Sequence, residues 1–377
     1  MPKQQQIYFP NLNGLRFIAA SLVIIHHTEQ FKSIFKLPNY YDSVPFFQAI
    51  GLHGVNLFFV LSGFLITYLL LSEEKSYNLI DIKNFYIRRL LRIWPLYFLI
   101  ILLAFFIIPQ FNLFLLPHLN LANNSTNFYL KIFLFSLFLP NFAQALLGQV
   151  PFASHTWSIG TEEQFYLMWP LFLKYIKKWR AQFMLLLIAI YIFLNYFLST
   201  QLAHLIPFRS VLQGYLLSFN ISCLAIGALL AFYMIQQHQM ITILSNKAVF
   251  YIALILVLIM LWSGCSLSFI QNEIYAALFG IMILNFVNNK HFDNTLQNKI
   301  FNYLGKISYG LYMFHPIVII ICLKLCIAIK LLNSWIIYPL VFIVTIMMAA
   351  ISYRFFESFF LQFKSKFSKI ESGDELK

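Results

Sequence analysis

Residues 53–72 read HGVNLFFVLSGFLITYLLLS, a stretch without Asp, Glu, Lys or Arg. About 20 apolar residues are what an α-helix needs to cross the hydrocarbon core of a bilayer. Ser62 and Gly63 fall at the centre of the stretch, where small residues let another helix or a ligand approach closely. The stretch therefore predicts a transmembrane helix whose midpoint serves either helix packing or ligand binding.

The composition of the whole chain extends this prediction. Of 377 residues, 60% are hydrophobic and 10% are charged, whereas about 25% of residues are charged in a soluble domain. This composition excludes a water-soluble enzyme and a disordered chain, and it leaves room for about ten membrane spans. Eleven apolar runs can be recognised, at residues 12–31, 53–72, 94–109, 129–147, 161–173, 182–199, 211–235, 249–263, 274–287, 307–329 and 335–356.

Basic residues between these runs predict the topology. Basic loops face the cytoplasm, but eleven crossings cannot place all the basic clusters there. The run at 129–147, which Pro140 and Asn141 interrupt, is therefore predicted to be a re-entrant or peripheral helix. The result is an all-α polytopic membrane protein of about ten transmembrane helices, with both termini cytoplasmic and residues 112–128 and 148–160 outside. The clusters are Lys83 with Arg88, Arg89 and Arg92; Lys174 with Lys177, Lys178 and Arg180; Lys290 with Lys299 and Lys306; and Lys364 with Lys366 and Lys369.

This topology divides the chain into a cytoplasmic N-terminus at residues 1–11, a membrane-embedded domain at 12–358 and a cytoplasmic tail at 359–377. The net charge of +13 is spread between apolar runs rather than collected in one patch. We therefore expect the lipid bilayer as a partner and no nucleic acid.

Arg16 and His27 share one face of the first predicted helix. Eleven residues of helix correspond to a rise of about 16 Å and a rotation of only about 20°. Taken singly, Arg16 can extend its charge to the cytoplasmic interface and His27 can be an interfacial histidine. Taken together, they outline a polar stripe across half of the membrane, which is typical of a pathway.

Three arginines follow the second apolar run. Arg88 and Arg89 each lie within one helical turn of Arg92, so the three side chains can converge on one point. A guanidinium cluster can hold phosphate oxygens. The alternative is ordinary anchoring of the cytoplasmic loop.

A second polar group surrounds Glu162. Acidic residues at the start of a helix that ends in lysines suit the helix dipole, and Thr161 with Gln164 forms a plausible capping box. With His155, Thr156, Trp157 and Ser158 beside them, the acidic residues nevertheless make a polar group that is unusually dense for the end of an apolar helix.

The motifs together resemble the acyltransferase 3 family of integral membrane acyltransferases. The matching stretches occur in the family's order and span residues 11–358. They are residues 12–16 with His27, 58–66, 88–97, 156–166, 305–316 and 352–357.

The resemblance implies a ten-span fold and a reaction. An acyl group, usually acetyl, would pass from cytoplasmic acyl-coenzyme A to a hydroxyl of a cell-surface glycan, or of a lipid-linked saccharide or small molecule. Asn13 stands where the family often has Asp. The chain stops about twenty residues after Glu357, so we expect no fused esterase-like domain and direct delivery of the acyl group, or delivery through a separate partner.

The resemblance also suggests roles for individual residues. His27 would be the general base, since an unperturbed imidazole titrates near pH 6.5, and Glu162 would orient it or bind the sugar. The phosphates of acetyl-coenzyme A, the acyl donor, would lie at the arginines. Donor binding is assigned to Arg16, Arg88, Arg89, Arg92, Ser62 and Gly63, and the further candidates are Trp157, Ser158, His315 and Glu357.

Two other classes of function remain open from the sequence. A transporter or channel could use the same Arg, His and Glu residues to move a solute or a proton, and a membrane scaffold would need no chemistry. The absence of an inverted repeat argues mildly against a transporter. We predict no metal site, and a location in the cytoplasmic membrane of a bacterium.

Overall fold

The computed structural model describes residues 5–117, 127–293 and 295–372. Within the predicted outer loop at 112–128, residues 118–126 lie outside the described part of the chain, as do residues 373–377 of the predicted tail.

Helices form nearly all of the described chain, which confirms the all-α prediction apart from two strands of three residues. The strands are β1 (Gln5–Ile7) and β2 (Ile370–Ser372). The helices are α1 (Leu12–Ile34), α2 (Pro45–Tyr77), α3 (Ile82–Leu102), α4 (Phe128–Ser136), α5 (Pro140–Leu147), α6 (Trp157–Tyr175), α7 (Arg180–Ser199), α8 (Arg209–Phe219), α9 (Ile221–Ile235), α10 (Gln239–Leu244), α11 (Lys247–Ser263), α12 (Gln271–Asn288), α13 (Lys299–Lys306), α14 (Ser308–Ala328), α15 (Ser334–Ser352) and α16 (Ser358–Leu361).

Both ends of the described chain lie at the same end of the helix bundle. β1 and β2 pair in parallel, with Gln5 opposite Ile370. Asn11, just before α1, accepts a hydrogen bond of 2.8 Å from the backbone N–H of Leu296, which precedes α13. The first helix therefore begins where α12 ends and α13 begins, as an even number of crossings requires.

Ion pairs bring other basic loops to this end. Glu74, near the end of α2, pairs with Lys177 at 2.8 Å and Arg180 at 2.7 Å. Lys369 pairs at 3.1 Å with Asp81, the residue before α3. Because basic loops collect at this end, we call it the cytoplasmic end.

In the described part of the chain, seven helical segments are long and apolar enough to cross a membrane. α11 is apolar but shorter, and α1 and α6 carry charged residues within the span. The protein is thus a polytopic membrane protein, and the count of ten spans stays a prediction. The seven segments are Pro45–Tyr77, Ile82–Gln110, Lys177–Ser199, Arg209–Ile235, Ser268–Asn288, Ser308–Ala328 and Ser334–Leu361.

The interrupted apolar run at 129–147 folds as a helical hairpin of α4 and α5, an arrangement that fits the predicted re-entrant segment. Phe128, at the start of α4, packs on Phe105, whereas Phe138, after its end, stacks on Tyr97 with ring centroids 4.4 Å apart. α4 therefore runs antiparallel to α3 and stops beside its middle. The chain then reverses at Pro140, which can begin a helix but lacks the N–H needed to continue one.

α5 returns toward the end from which α4 came. Pro140 packs against Gly160, which lies inside α6, and Gln144 donates a hydrogen bond to the carbonyl of Ser154, which precedes α6. The hairpin thus enters and leaves from the end opposite the cytoplasmic one. Satisfaction of the backbone hydrogen bonds within protein makes such a partial crossing possible.

Candidate functional site

A cavity opens between α1, α2, α3, α6 and α14. Apolar side chains of α2 form much of its wall, and charged and hydroxyl groups face it from the other helices. Six predicted site residues from four helices line it: Arg16, Ser62, Arg89, Arg92, Ser158 and Glu162.

Three of these residues bring guanidinium groups to the cavity. Arg16 comes from the first turns of α1, and Arg89 and Arg92 come from α3. Arg16 donates a 2.9 Å hydrogen bond to the side-chain oxygen of Asn13. The side-chain amide of Asn13 therefore holds this arginine, although it lacks the carboxylate of the Asp that the family often has at this position.

Arg89 packs against two aromatic rings. Its guanidinium lies 5.7 Å from the ring centroids of both Phe85 and Tyr166, a cation–π arrangement. Within the described part of the chain, its buried Nε has no hydrogen-bond partner. A buried donor without a partner is costly, so this group is suited to an anionic ligand.

Arg88 departs from the predicted convergence. It donates a 2.6 Å hydrogen bond to the carbonyl of Phe367 and lies 3.7 Å from a carboxylate oxygen of Glu73, and it does not line the main cavity. Arg88 therefore ties α3 to the C-terminal segment, while Arg89 and Arg92 face the cavity.

Glu162 belongs to a chain of hydrogen bonds on one wall. It accepts a 2.7 Å bond from the hydroxyl of Tyr166, which also contacts the hydroxyl of Ser62. The predicted contact between Glu162 and His27 is not formed among the described residues. Tyr166 thus connects two predicted site residues and lies under the guanidinium of Arg89.

His27 instead meets His315 of α14. Nδ1 of His27 lies 3.1 Å from Nε2 of His315 and 3.1 Å from the carbonyl oxygen of Val23. The ring of His155 lies 5.3 Å from that of His315, and its buried Nε2 has no partner in the described part of the chain. Three histidines from distant parts of the sequence therefore form one cluster.

Hydroxyl groups connect the cavity to this cluster. Ser158 and Tyr312 both line the cavity, and their hydroxyls are 2.7 Å apart. Tyr312 also donates a 2.6 Å bond to the backbone carbonyl of His155, and its own carbonyl lies 2.6 Å from Nδ1 of His315. A chain of hydrogen bonds thus runs from the cavity wall to the histidines, which do not themselves line the cavity.

Gly63 lies outside the cavity, although it was predicted to bind the donor. It faces α9, where a Cβ atom would overlap the carbonyl of Leu224. Gly227 packs in the same way on the carbonyl of Val60. Gly63 is therefore a packing residue, because two helices of this kind can approach closely only where side chains are absent.

Two further candidates also lie outside the cavity lining. Trp157 packs edge-on against Phe59, with ring centroids 5.9 Å apart. Glu357 is buried and accepts a 2.9 Å hydrogen bond from Ser352. Neither position supports direct ligand contact.

Tyr166, Tyr312 and His155 were not among the site residues predicted from the sequence, although His155 belongs to the polar group beside Glu162. Tyr166 lies one helical turn after Glu162, and Tyr312 lies one turn before His315. That spacing was available from the sequence as a signal. His155 adjoins the Trp157–Ser158 motif, but only packing against α14 shows which atoms it meets.

A family model described as an acyltransferase domain matches residues 9–354, nearly the whole chain. The chain belongs to this acyltransferase family. The resemblance predicted from the motifs is thereby confirmed. No solved structure matches the chain significantly. Among the described residues, no group of three or more His, Cys, Asp or Glu side chains is placed to hold a metal ion.

Two curated bacterial relatives are informative. A peptidoglycan O-acetyltransferase, OatA, of Listeria monocytogenes is 31% identical over 173 residues, which cover 46% of this chain and 25% of the relative. A Bacillus subtilis protein named "Putative peptidoglycan O-acetyltransferase YrhL" is 32% identical over 182 residues, covering 48% and 26%. The matched part of this acyltransferase spans about a quarter of the length of these relatives.

Proposed function

We propose that this protein is an O-acetyltransferase of the bacterial cytoplasmic membrane, which moves an acetyl group from acetyl-coenzyme A to a hydroxyl of a cell-surface glycan. One observation carries the proposal. Arg16, Arg89 and Arg92 converge on a cavity whose other wall is connected through Ser158 and Tyr312 to a histidine cluster.

The arginines suit the phosphate groups of the donor. Guanidinium groups bind phosphate oxygens in pairs of parallel hydrogen bonds. Among the described residues the buried Nε of Arg89 has no hydrogen-bond partner, so it is a donor that a phosphate could satisfy. Arg92 and Arg16 add positive charge from two other directions, so a multiply charged anion fits the cytoplasmic end of the cavity better than a neutral solute does.

His27 suits the chemistry at the other end of the path. The acceptor hydroxyl would lose its proton to His27 while its oxygen attacks the thioester carbonyl carbon. The carbon–sulfur bond then breaks, the acetyl ester forms, and the departing thiolate takes the proton from His27. This sequence needs no covalent enzyme intermediate.

The position of the histidines and the names of the two relatives support the choice of acceptor class. His27 lies two turns before the outer end of α1, and His155 lies in the segment before α6, at the same end as the α4–α5 hairpin. An acceptor would therefore approach from outside. The two relatives carry peptidoglycan O-acetyltransferase names, and peptidoglycan is our first choice of acceptor.

Donor binding and product formation are measured separately. Calorimetric titration of the purified protein with acetyl-coenzyme A should give saturable binding, weakened about tenfold or more by Arg89→Ala. Lys178→Ala, which removes an exposed basic residue at the same end, is the control for non-specific attraction and should leave the affinity unchanged.

Alkali-labile acetate on the cell wall reports the product. Cells that express the protein should carry more ester-linked acetate on isolated peptidoglycan than cells without it. Absence of coenzyme A binding would overturn the proposal and favour a transporter. Binding of coenzyme A without any change in peptidoglycan acetate would support the proposed donor site and overturn peptidoglycan as the acceptor.

A further inference from the structure

The hydrogen bonds of His315 determine which of its ring nitrogens carries the proton. Its Nδ1 lies 2.6 Å from the carbonyl oxygen of Tyr312. A carbonyl oxygen only accepts hydrogen bonds, so Nδ1 must carry the hydrogen. In the neutral ring, Nε2 of His315 then has the lone pair and is an acceptor.

This arrangement determines the tautomer of His27 in turn. Nδ1 of His27 faces the lone pair of His315 at 3.1 Å and the carbonyl oxygen of Val23 at 3.1 Å. Both neighbours are acceptors, so both require a hydrogen on Nδ1 of His27. The other nitrogen, Nε2, therefore holds the free lone pair of the neutral ring.

We propose that His315 is a positioning residue that holds His27 in this tautomer, so that Nε2 of His27 is the atom that takes the proton from the acceptor hydroxyl. The inference rests on the proposed O-acetyltransferase function. It identifies the reacting nitrogen and a partner 288 positions away in the sequence.

The chemistry of the dyad follows from its hydrogen bonds. When Nε2 of His27 accepts the proton, the ring becomes a cation and its Nδ1–H bond to His315 becomes charge-assisted. His315 keeps its own proton on the carbonyl of Tyr312 throughout. A buried acceptor that orients a general base in this way commonly takes the form of a carboxylate, and here a neutral imidazole occupies the position.

Burial supports a fixed geometry. His315 is 0% exposed and Tyr312 is 5% exposed. α14 carries both residues, and the nearby Pro316 removes one backbone donor from the helix. Because the His315 side chain is fully enclosed, its ring has little freedom to turn away from His27.

The test compares two replacements of similar size. His315→Gln retains a side-chain oxygen that can accept from His27, whereas His315→Leu fills the space without accepting. We expect kcat for acetyl transfer to fall about 10- to 100-fold in the Leu variant and less than tenfold in the Gln variant. KM for acetyl-coenzyme A should stay unchanged in both.

Equal losses of kcat in the two variants, with donor binding intact, would overturn the role of His315. Loss of coenzyme A binding or of acetyl transfer in the unaltered protein would instead overturn the proposed function, so the two failures are distinguishable. ¹⁵N spectra of histidine-labelled protein, with the His27 signals assigned by comparison with His27→Ala, give a readout independent of activity. They should show His27 protonated at Nδ1, and the opposite tautomer would refute the inference.

Discussion

Gly63 of α2 lies so close to the backbone carbonyl of Leu224 in α9 that a Cβ atom at position 63 would overlap that oxygen. We therefore expect Gly63→Ala to destabilise the protein by about 1–3 kcal/mol or more, because the two helices must move apart. Thermal unfolding in detergent measures this change.

Gly214→Ala is the matched control within a helix. A Cβ atom there would make an ordinary 3.5 Å contact with Ala145, so its stability should be unchanged or slightly higher. A Gly63→Ala variant that is fully stable but has lost donor affinity would contradict the packing role.

Arg88 contacts Phe367 and Glu73, whereas Arg89 and Arg92 line the cavity, and this difference gives a second prediction. Arg89→Ala and Arg92→Ala should each weaken acetyl-coenzyme A binding by about 1.5–3 kcal/mol, since each removes a charge-assisted contact. Arg88→Ala should chiefly lower thermal stability, because it breaks the contacts with Phe367 and Glu73. Calorimetry on the three variants would refute the assignment if Arg88→Ala caused the largest loss of affinity.

Variants of His27 and of its neighbour His26 test the catalytic and packing roles separately. His27→Ala should reduce acetyl transfer by about 100-fold or more without loss of donor binding. His26 contacts the carbonyl of Phe47 at 2.8 Å, and its ring packs on Gly51. His26→Ala should therefore cost stability and leave kcat nearly unchanged. The reverse order in a kinetic assay would move the search for the base to Glu162.

A buried ion pair near the outer end of α1 predicts a non-additive pair of mutations. Lys32 and Glu29 are 1% and 0% exposed, and Glu29 also accepts a 2.8 Å bond from Tyr338. Lys32→Met should cost about 3–5 kcal/mol because it leaves a buried carboxylate without its partner. Adding Glu29→Gln should recover much of that loss. Chemical or thermal unfolding of the unaltered protein, the two single variants and the double variant completes a double-mutant cycle. Additive losses in the free energy of unfolding would contradict the prediction.

If the α4–α5 hairpin is re-entrant, residues after α5 lie outside the membrane and residues near β2 lie on its cytoplasmic side. Gln149 follows α5 and Lys366 lies near β2, and both side chains are exposed. In a variant without the native cysteines, Gln149→Cys should react with an impermeant thiol reagent in intact cells. Lys366→Cys should react only after permeabilisation. Labelling of both from one side would show that the α4–α5 segment crosses fully. Asn124, in the other predicted outer loop at 112–128, should also label from outside, although it lies beyond the described residues.

The helical architecture was largely predictable because its determinants are local. Each apolar run satisfies the length of a bilayer crossing, and each basic loop resists transfer across the membrane. The interruption at Pro140 and the parity of the basic clusters sufficed to predict a re-entrant or peripheral segment. The order of motifs likewise sufficed to predict the family.

The site was predictable only as far as helical spacing allows. Spacing placed Arg16 and His27 on one face of α1, but it could not tell which side of α3 faces the cavity, and so it grouped Arg88 with Arg89 and Arg92. It also could not decide whether Gly63 faces a ligand or another helix. Both questions depend on what packs against the helix, which is set by residues far away in the chain.

The sequence by itself therefore determined the apolar helices, the acyltransferase family and six of the side chains that line the cavity. These follow from apolar length, charge placement and motif order, which are properties of single segments. Only the tertiary structure decided that His27 meets His315 rather than Glu162, and that Tyr166 and Tyr312 connect the polar groups. Such contacts join helices whose relative rotation depends on close packing throughout the bundle, and no single segment encodes that rotation.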